Sequence, residues 1–293
     1  MTDDRIKISL GTDRILSDRS GINQLLHFHY QCLSYNNAAL EICLKNLQWV
    51  DGNLCALLGA ILYRLNKTNK LSFIIKQEDV EAKFDILIHN DFLPLKIVKN
   101  SKRKSCIPFR GFEVKDKDGF IDYVELEVLR HNAMPKFSDI TIDKLIFDLS
   151  ELYANIDRHA FTNMPFYMCG QYYPRAEIVK FTICDLGIGF FENINKIKPE
   201  ITTFGQAIKW AVNGNSSKED APGGIGLVSL KNYCNQNGGK LQIISGDYMW
   251  CSETEERKTI LYPEGIMPLK HFFQGAVINL EFNKKALNLK LTD

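Results

Sequence analysis

The sequence has no hydrophobic run long enough to cross a membrane. Its longest apolar stretch, near Leu54–Leu65, is too short and too interrupted to span a bilayer. The first residues, Met-Thr-Asp-Asp-Arg, contain no apolar segment, which predicts that there is no signal peptide. We therefore expect a soluble, cytoplasmic protein with no membrane partner.

Closely spaced cysteine pairs are also missing. The eight cysteines are scattered along the chain and form no C-x-x-C pair. Such spacing is not typical of a disulfide framework or a zinc site, so we interpret the cysteines as reduced, buried thiols.

An excess of charge of one sign is lacking as well. The 36 Lys and Arg residues nearly balance the 35 Asp and Glu residues, which argues against nucleic acid or an anionic membrane as a partner. The basic run of Lys99, Lys102, Arg103 and Lys104 has no aromatic residues between its charges, so we interpret it as a solvated connector.

The length of 293 residues and the hydrophobic content of 45% allow two ordinary domains. We predict a small α/β domain over residues 1–94 and a linker with connecting elements over 95–137. A second α/β domain then covers 138–293, with a long insertion at 246–274 that periodicity does not resolve.

Alternating patterns predict the elements of the first domain. The residues Asp51-Gly52-Asn53 are interpreted as a turn and helix N-cap. The predicted elements are a strand with Leu40, Ile42 and Leu44 on one side, a buried helix over Leu54–Leu65, a strand at Leu71–Ile75 and a helix at Val80–Ile88.

The second domain is predicted to begin with a long helix that Ser138 caps and that runs to about Ala160, after a helical stretch at Ile121–Arg130. The further predicted elements are strands at Met164–Tyr173 and Ala176–Asp185, helices at Gly205–Val212 and Leu227–Asn235, and strands at Lys240–Ser245 and Gly275–Phe282.

The long helix carries a polar stripe. Glu151, Asn155 and His159 follow one another at intervals of four residues, so they lie along one side of the helix. On its own, such a stripe is better explained as an exposed helix surface.

Two glycine-containing segments follow the helix. Asp185-Leu-Gly187-Ile-Gly189 ends an apolar strand, where glycines allow a planar ligand to approach the backbone closely. An ordinary strand-end turn has the same composition. The segment Gly223-Gly224-Ile-Gly226-Leu opens a helix, whose free N–H groups favour phosphate binding. The Gly- and Asn-rich loop before it, 213–224, has the composition of a movable lid.

The order and spacing of these three segments resemble the N, G1 and G2 boxes of the GHKL superfamily. This superfamily contains DNA gyrase, heat-shock chaperone, histidine kinase and mismatch-repair ATPases. The resemblance covers about residues 138–283 and implies a Bergerat-type α/β sandwich that binds ATP and Mg²⁺.

The resemblance also implies a role for each matching residue. Glu151 matches the general base, and Asn155 matches the residue that holds Mg²⁺. Asp185 matches the adenine-binding aspartate. The remaining matches are Arg158 near the phosphates, Gly187 and Gly189 beside the adenine, and Gly223, Gly224 and Gly226 in the phosphate-binding lid.

The first domain resembles the STAS (anti-sigma-factor antagonist) layout over about residues 6–93. STAS proteins often carry a phosphorylatable Ser or Thr at the start of the helix, where this chain has Asn53. The resemblance therefore implies docking or sensing there. An ordinary α/β domain with Asn near a helix cap is the alternative.

Three functions are consistent with these features. The first is an ATP-hydrolysing protein whose lid closure regulates the N-terminal domain, a protein partner or a homodimer. The second is a serine/threonine kinase of the anti-sigma-factor type. The third is a non-hydrolysing, ATP-gated binding switch. An autokinase is disfavoured, because no upstream histidine lies in a convincing phosphoacceptor segment.

Overall fold

The computed structural model describes residues 5–93, 105–131, 136–215, 225–236, 238–252, 262 and 264–283. It confirms a mixed α/β protein, with one five-stranded sheet and two smaller ones in the described residues. We refer to residues 5–93 as the N-terminal unit and to the described part of 105–283 as the C-terminal unit. Among the helices described, none combines the length and the apolar character that crossing a bilayer requires.

The N-terminal unit is built on parallel strands. Its elements are β1 (Ile6–Ser9), β2 (Asp13–Ile15), α1 (Arg19–Cys32), β3 (Ala39–Cys43), β4 (Leu47–Val50), a 3-10 turn (Gly52–Leu54), α2 (Cys55–Asn69), β5 (Ser72–Ile74), α3 (Gln77–Lys83) and α4 (Ile86–His89). One sheet has the order β1-β3-β5, and β2 pairs with β4 in another. Helices α1 and α2 supply the crossovers that parallel pairing requires.

The predicted strand at Leu40, the buried helix and the strand at Leu71–Ile75 are confirmed. The single helix predicted at Val80–Ile88 is wrong, because the backbone leaves helical geometry at Phe84 (φ −122°, ψ 35°) and two short helices form. Helix α1 was not predicted. Its start is capped by the Asp18 side chain, which accepts a hydrogen bond from the Gly21 N–H.

The C-terminal unit is built on an antiparallel sheet. Its elements are β6 (Cys106–Phe112), α5 (Lys117–Tyr123), a π-helical segment (Val124–Leu129), α6 (Asp139–His159), β7 (Phe166–Tyr173), β8 (Ile178–Asp185), α7 (Phe191–Ile197), α8 (Phe204–Val212), α9 (Ile225–Gln236), β9 (Lys240–Cys251) and β10 (Ile266–Asn283). The strand order is β6-β7-β8-β10-β9, and every neighbouring pair is antiparallel.

The long predicted helix is confirmed as α6. The Ser138 side chain accepts a hydrogen bond from the Thr141 N–H and so caps its first turn. The predicted strands and helices between 164 and 236 are confirmed as β7, β8, α8 and α9, with ends shifted by a few residues. The short helix α7 was not predicted.

Two regions differ from the prediction because irregular strands hide the alternating pattern. The segment treated as a connector contributes β6 at the edge of the sheet, where the register shifts between Ile107 and Arg110 around Pro108. Part of the proposed insertion 246–274 is an extension of β9 and β10. Their pairing shifts register twice between Pro268 and Val277.

The two faces of the five-stranded sheet have different partners. Helices α6, α8 and α9 pack on one face, where Phe181 and Ile183 of β8 join their hydrophobic core. The N-terminal unit packs on the other face through α1 and α2, and its core includes Cys184 and Leu186. Successive residues of β8 therefore alternate between the helices and the N-terminal unit.

A buried polar network lies between the N-terminal unit and the sheet. The Asp51 carboxylate lies 3.0 Å from Lys180 Nζ of β8 and accepts a hydrogen bond from the Ser17 N–H. Burial opposes ionisation of Asp51, yet Lys180 and the donated hydrogen bonds lower its pKa overall. Asn53 Nδ2 donates to Thr182 Oγ1 at 2.8 Å.

This network corrects the predicted role of Asp51 and Asn53. Neither side chain caps a helix, because no side-chain bond closes the 3-10 turn and Leu54 occupies the cap position of α2. Both side chains contact strand β8 instead.

None of the eight cysteines forms a disulfide in the described structure, and six of them are buried. Burial raises the pKa of Cys169 and Cys184 well above the ordinary range for a thiol. These two side chains therefore stay neutral and belong to the packed interior.

Candidate functional site

A cleft opens in the helical layer of the C-terminal unit, where α6 ends beside the carboxyl end of β8. It encloses about 860 Å³, including the part that is open to solvent. Most of its wall is apolar, which suits the face of a planar ring. The larger apolar side chains of the wall are Leu152, Ile156, Ile194, Trp210, Leu227 and Ile278.

A small set of polar side chains shares this cleft. They come from the ends of α6 and β8, from α7 and from the loop after α8, and they are Asn155, His159, Asp185, Asn193 and Asn215. The cleft thus combines apolar walls with a few polar groups, as small-molecule sites commonly do.

Asp185 is the most deeply placed ionisable group of the cleft, with 8% of its surface exposed. Its Oδ1 atom accepts a hydrogen bond of 2.8 Å from the Gly187 N–H. Burial raises the pKa of Asp185 to about 6, although the backbone N–H groups of Gly187 and Ala276 act in the opposite direction. The carboxylate is held in one orientation by the backbone around it.

The two glycines after Asp185 stand where no side chain fits. A Cβ atom at Gly187 would lie 2.3 Å from the carbonyl oxygen of Ala160. Gly189 has φ +78°, and a Cβ atom there would lie 2.5 Å from Ser245 Oγ. The Ile188 N–H donates to the Ala160 carbonyl at 3.0 Å. The loop is therefore pressed against the end of α6.

Only part of the polar stripe of α6 lines the cleft. Asn155 and His159 line it and are half-buried. Glu151 is also half-buried but lies one turn earlier, outside the cleft wall. Arg158 is exposed and does not line the cleft.

Glu151 lies against the start of α9. A Cβ atom at Gly226 would lie 2.6 Å from the Cβ atom of Glu151, so the two helices meet at this glycine. Nearby, Ser229 Oγ donates to Asp148 Oδ2 at 2.7 Å. Burial raises the pKa of Asp148, with a small contribution from Glu151.

The structure therefore brings the predicted site residues together to different degrees. Asn155, Asp185 and Gly189 line one cleft, Gly187 supports its edge, and Glu151 and Gly226 meet beside it. The predicted phosphate-binding glycines Gly223 and Gly224 lie outside the described residues.

Several residues of the cleft were missed from the sequence. Trp210 lies on an amphipathic helix, where an aromatic residue is indistinguishable from core. Phe190 and Asn193 belong to the region of α7, which was not predicted. Asn193 Nδ2 donates to the His159 carbonyl at 2.8 Å and so binds one of the last carbonyls of α6. The sequence feature that could have identified Asn193 is its position shortly after a glycine-containing turn.

No group of three or more His, Cys, Asp or Glu side chains suited to a metal ion is found in the part of the chain that the structure describes. The sequence matches none of the protein-family models and none of the curated proteins with which it was compared.

Proposed function

We propose that this protein binds ATP with Mg²⁺ in the cleft and hydrolyses it, as a member of the GHKL superfamily with a Bergerat-type sandwich. The observation that carries the proposal is the buried Asp185 carboxylate in an apolar cleft that Asn155 also lines. The antiparallel sheet covered on one face by α6, α8 and α9 supports the proposed sandwich.

The adenine ring fits the chemistry of the inner cleft. Apolar side chains such as Leu152 and Trp210 provide flat contact surface, and Asp185 provides a hydrogen-bond acceptor for the exocyclic amino group. Because the pKa of Asp185 is about 6, the carboxylate is mostly ionised at neutral pH. Glycines at 187 and 189 let this loop pack against Ala160 and Ser245 and so hold Asp185 beside the ring.

The phosphates would lie toward Asn155 and the start of α9. The Asn155 amide oxygen is a hard ligand of the kind that Mg²⁺ accepts. When bound, Mg²⁺ would neutralise phosphate charge and orient the terminal phosphoryl group. Glu151, one turn before Asn155 on α6, would accept a proton from the attacking water. The Gly226 N–H, in the first turn of α9, would contact the phosphates.

The experiment is release of labelled phosphate from γ-labelled ATP with Mg²⁺. We expect Glu151→Gln to lower kcat by roughly 100- to 10,000-fold with little change in ATP affinity, because the group removed acts on the water. Asn155→Ala should weaken Mg²⁺-dependent binding. Glu192→Gln, at an exposed position of α7, is the matched control and should change neither.

A non-hydrolysing switch is the second candidate, and the position of Glu151 outside the cleft wall favours it. Equilibrium binding of ATP without release of phosphate would select the switch. Label transferred to a protein would instead select the kinase. Absence of any heat of binding with ATP, ADP or a non-hydrolysable analogue would refute all three.

The regulatory role proposed for the N-terminal unit is supported by its docking on the opposite face of the cleft's own sheet. Its likeness to STAS domains stays a prediction. The partner is proposed to be a protein or a second copy of this chain.

A further inference from the structure

One buried arginine of the N-terminal unit contacts the backbone behind the cleft. Arg64 lies on α2 and has 9% of its surface exposed. Its Nη2 atom donates to the Leu186 carbonyl at 2.8 Å, and its Nη1 atom donates to the Gln274 carbonyl. A single guanidinium therefore joins two separate segments of the C-terminal unit.

Both segments belong to the surroundings of Asp185. Leu186 follows Asp185 directly, and Gln274 precedes the Gly275-Ala276 step, where the Ala276 N–H donates to the Asp185 carboxylate. Gly275 lies so close to this loop that a Cβ atom on it would be 2.3 Å from the Asp185 carbonyl. By binding the carbonyls of Leu186 and Gln274, Arg64 fixes the two backbone segments that orient the carboxylate.

The chemistry of Arg64 favours a positioning role over a stabilising one. No ion pair joins it to a carboxylate among the described residues, while its guanidinium carbon lies 5.6 Å from the centre of the Phe273 ring. The Asp185 carboxylate attracts the guanidinium only from beyond ion-pair distance, so burying this charge costs free energy that an apolar side chain of similar volume would avoid. The planar guanidinium does, however, bind two carbonyls at a fixed separation, as lysine does not.

We infer that Arg64 is a positioning residue through which the N-terminal unit sets the geometry of the Asp185 carboxylate and thereby the affinity of the cleft for an adenine ring. The inference rests on the proposed function for its ligand. The claim that Arg64 holds the Asp185 loop in place does not depend on the proposed function, because it concerns the protein without ligand. By linkage, ligand binding in turn tightens the docking of α2.

The first experiment needs no nucleotide. Amide hydrogen exchange is measured on the full chain for wild type, Arg64→Met and Arg64→Lys, with Arg19→Met as matched control. Arg19 also joins the N-terminal unit to β10, through a 2.8 Å bond to the Pro268 carbonyl, but far along the strand from Ala276. We expect faster exchange at Gly187 and Ala276 in both Arg64 variants and no change there in Arg19→Met.

The second experiment is calorimetric titration with a non-hydrolysable ATP analogue and Mg²⁺. We expect Arg64→Met to weaken binding roughly 10- to 100-fold, a loss of the size found when a residue that orients a metal ligand is removed. Arg64→Lys should bind with intermediate affinity, and Arg19→Met should bind like wild type.

The pH profile of this binding separates positioning from a general loss of structure. Wild-type binding should weaken as the pH falls through about 6, where Asp185 takes up a proton. Both Arg64 variants should move that midpoint to higher pH, because the loosened Gly187 and Ala276 N–H groups lower the pKa of Asp185 less than in wild type. The shift should be larger in Arg64→Met, because only lysine keeps a positive charge beside the carboxylate. The other titratable groups against Arg64 are Cys184 and His29, and both stay neutral from pH 6 to 8.

The outcomes separate the two claims. Unchanged exchange at Gly187 and Ala276 in both Arg64 variants, or unchanged affinity where wild type binds, would overturn the inference and leave the proposed function standing. Faster exchange with no nucleotide binding by wild type would refute the proposed function and support the positioning of the Asp185 loop.

Discussion

At the scale of single residues, two buried ionisable side chains make stability depend on pH in opposite directions. Burial raises the pKa of Asp185 from 3.8 to about 6. Burial, together with Arg64 and His271, lowers the pKa of His29 from 6.5 to about 4. His29 Nε2 is buried without a hydrogen-bond partner among the described residues. Between about pH 4 and pH 6 the two effects oppose each other.

The first prediction concerns Asp185→Asn. Since the folded state raises this pKa, the contribution of Asp185 to the free energy of unfolding is present at low pH and lost as the pH rises through about 6. We expect Asp185→Asn to stabilise the ligand-free protein at pH 7.5, by about 3 kcal/mol at most, while abolishing adenine binding. Urea unfolding at several pH values measures the first effect and calorimetry the second.

Asp157→Asn, at an exposed position of α6, is the control for this substitution and should change neither quantity. Adenine binding that survives in Asp185→Asn at wild-type affinity would contradict the assigned role of Asp185.

The second prediction concerns His29→Phe. Since the folded state lowers this pKa, the stabilising contribution is present above pH 6.5 and lost as the pH falls toward about 4. We expect the variant to lose less stability than wild type on acidification, by about 3 kcal/mol at most. The measurement is the free energy of unfolding at pH 7.5 and pH 4.5.

Ser20→Ala, at an exposed position of the same helix, provides the comparison for His29→Phe and should keep the wild-type pH dependence. If the two substitutions gave the same pH dependence, burial of His29 would not be the cause.

At the scale of elements, the packing of α6 against α9 depends on one glycine. Gly226→Ala would place a methyl group 2.6 Å from the Cβ atom of Glu151. We expect it to cost about 1–3 kcal/mol of stability through overpacking and to weaken nucleotide binding as α9 shifts. Alanine in a helix is otherwise favourable by about 1 kcal/mol over glycine. A lower Tm would therefore indicate overpacking, and a higher Tm would indicate that helix propensity dominates.

Asn232→Ala, at an exposed position of the same helix, should leave Tm within a few degrees of wild type, as surface changes usually do. A higher Tm in Gly226→Ala than in wild type would show that the contact between α6 and α9 tolerates the methyl group.

Elements with a regular pattern could be predicted from the sequence, and irregular ones could not. Helix α6 has an apolar face with a capping serine, and β7 and β8 are nearly continuous apolar runs, so all three were predicted within a few residues. Strand β6 contains Pro108 and a register shift, which remove the alternation that identifies a strand. In α1, polar and aromatic residues such as His29 and Tyr30 obscure the helical period.

The candidate site shows the same division. Asn155, Asp185 and Gly189 could be predicted to lie in one cleft because the segments that contain them resemble the boxes of a known superfamily in order and spacing. Trp210 and Arg64 could not. An aromatic residue on an amphipathic helix suggests core, and nothing in the sequence indicates that a helix near residue 64 packs behind a strand near residue 186.

At the scale of the whole molecule, the two units share one hydrophobic core and one polar network, so we expect them to unfold together. Asn53→Ala removes the bond to Thr182 inside this interface and should cost about 1–3 kcal/mol. Hydrogen exchange at intermediate urea should show α2 and β8 losing protection at the same midpoint in wild type and at a lower shared midpoint in the variant.

Asn46→Ala, at an exposed position of the N-terminal unit, should leave that midpoint unchanged. Separate midpoints for α2 and β8 in wild type would mean that the two units are independent domains.

The alternation of side chains along β8 has a consequence for how this strand tolerates replacement. Odd-numbered positions from 179 to 185 point to the helices and the cleft, while even-numbered positions from 180 to 186 meet the N-terminal unit. A saturation scan of this strand would therefore yield two interleaved phenotypes. Substitutions at the odd-numbered positions would first weaken ligand binding. Substitutions at the even-numbered positions would first weaken the interface between the N-terminal and C-terminal units.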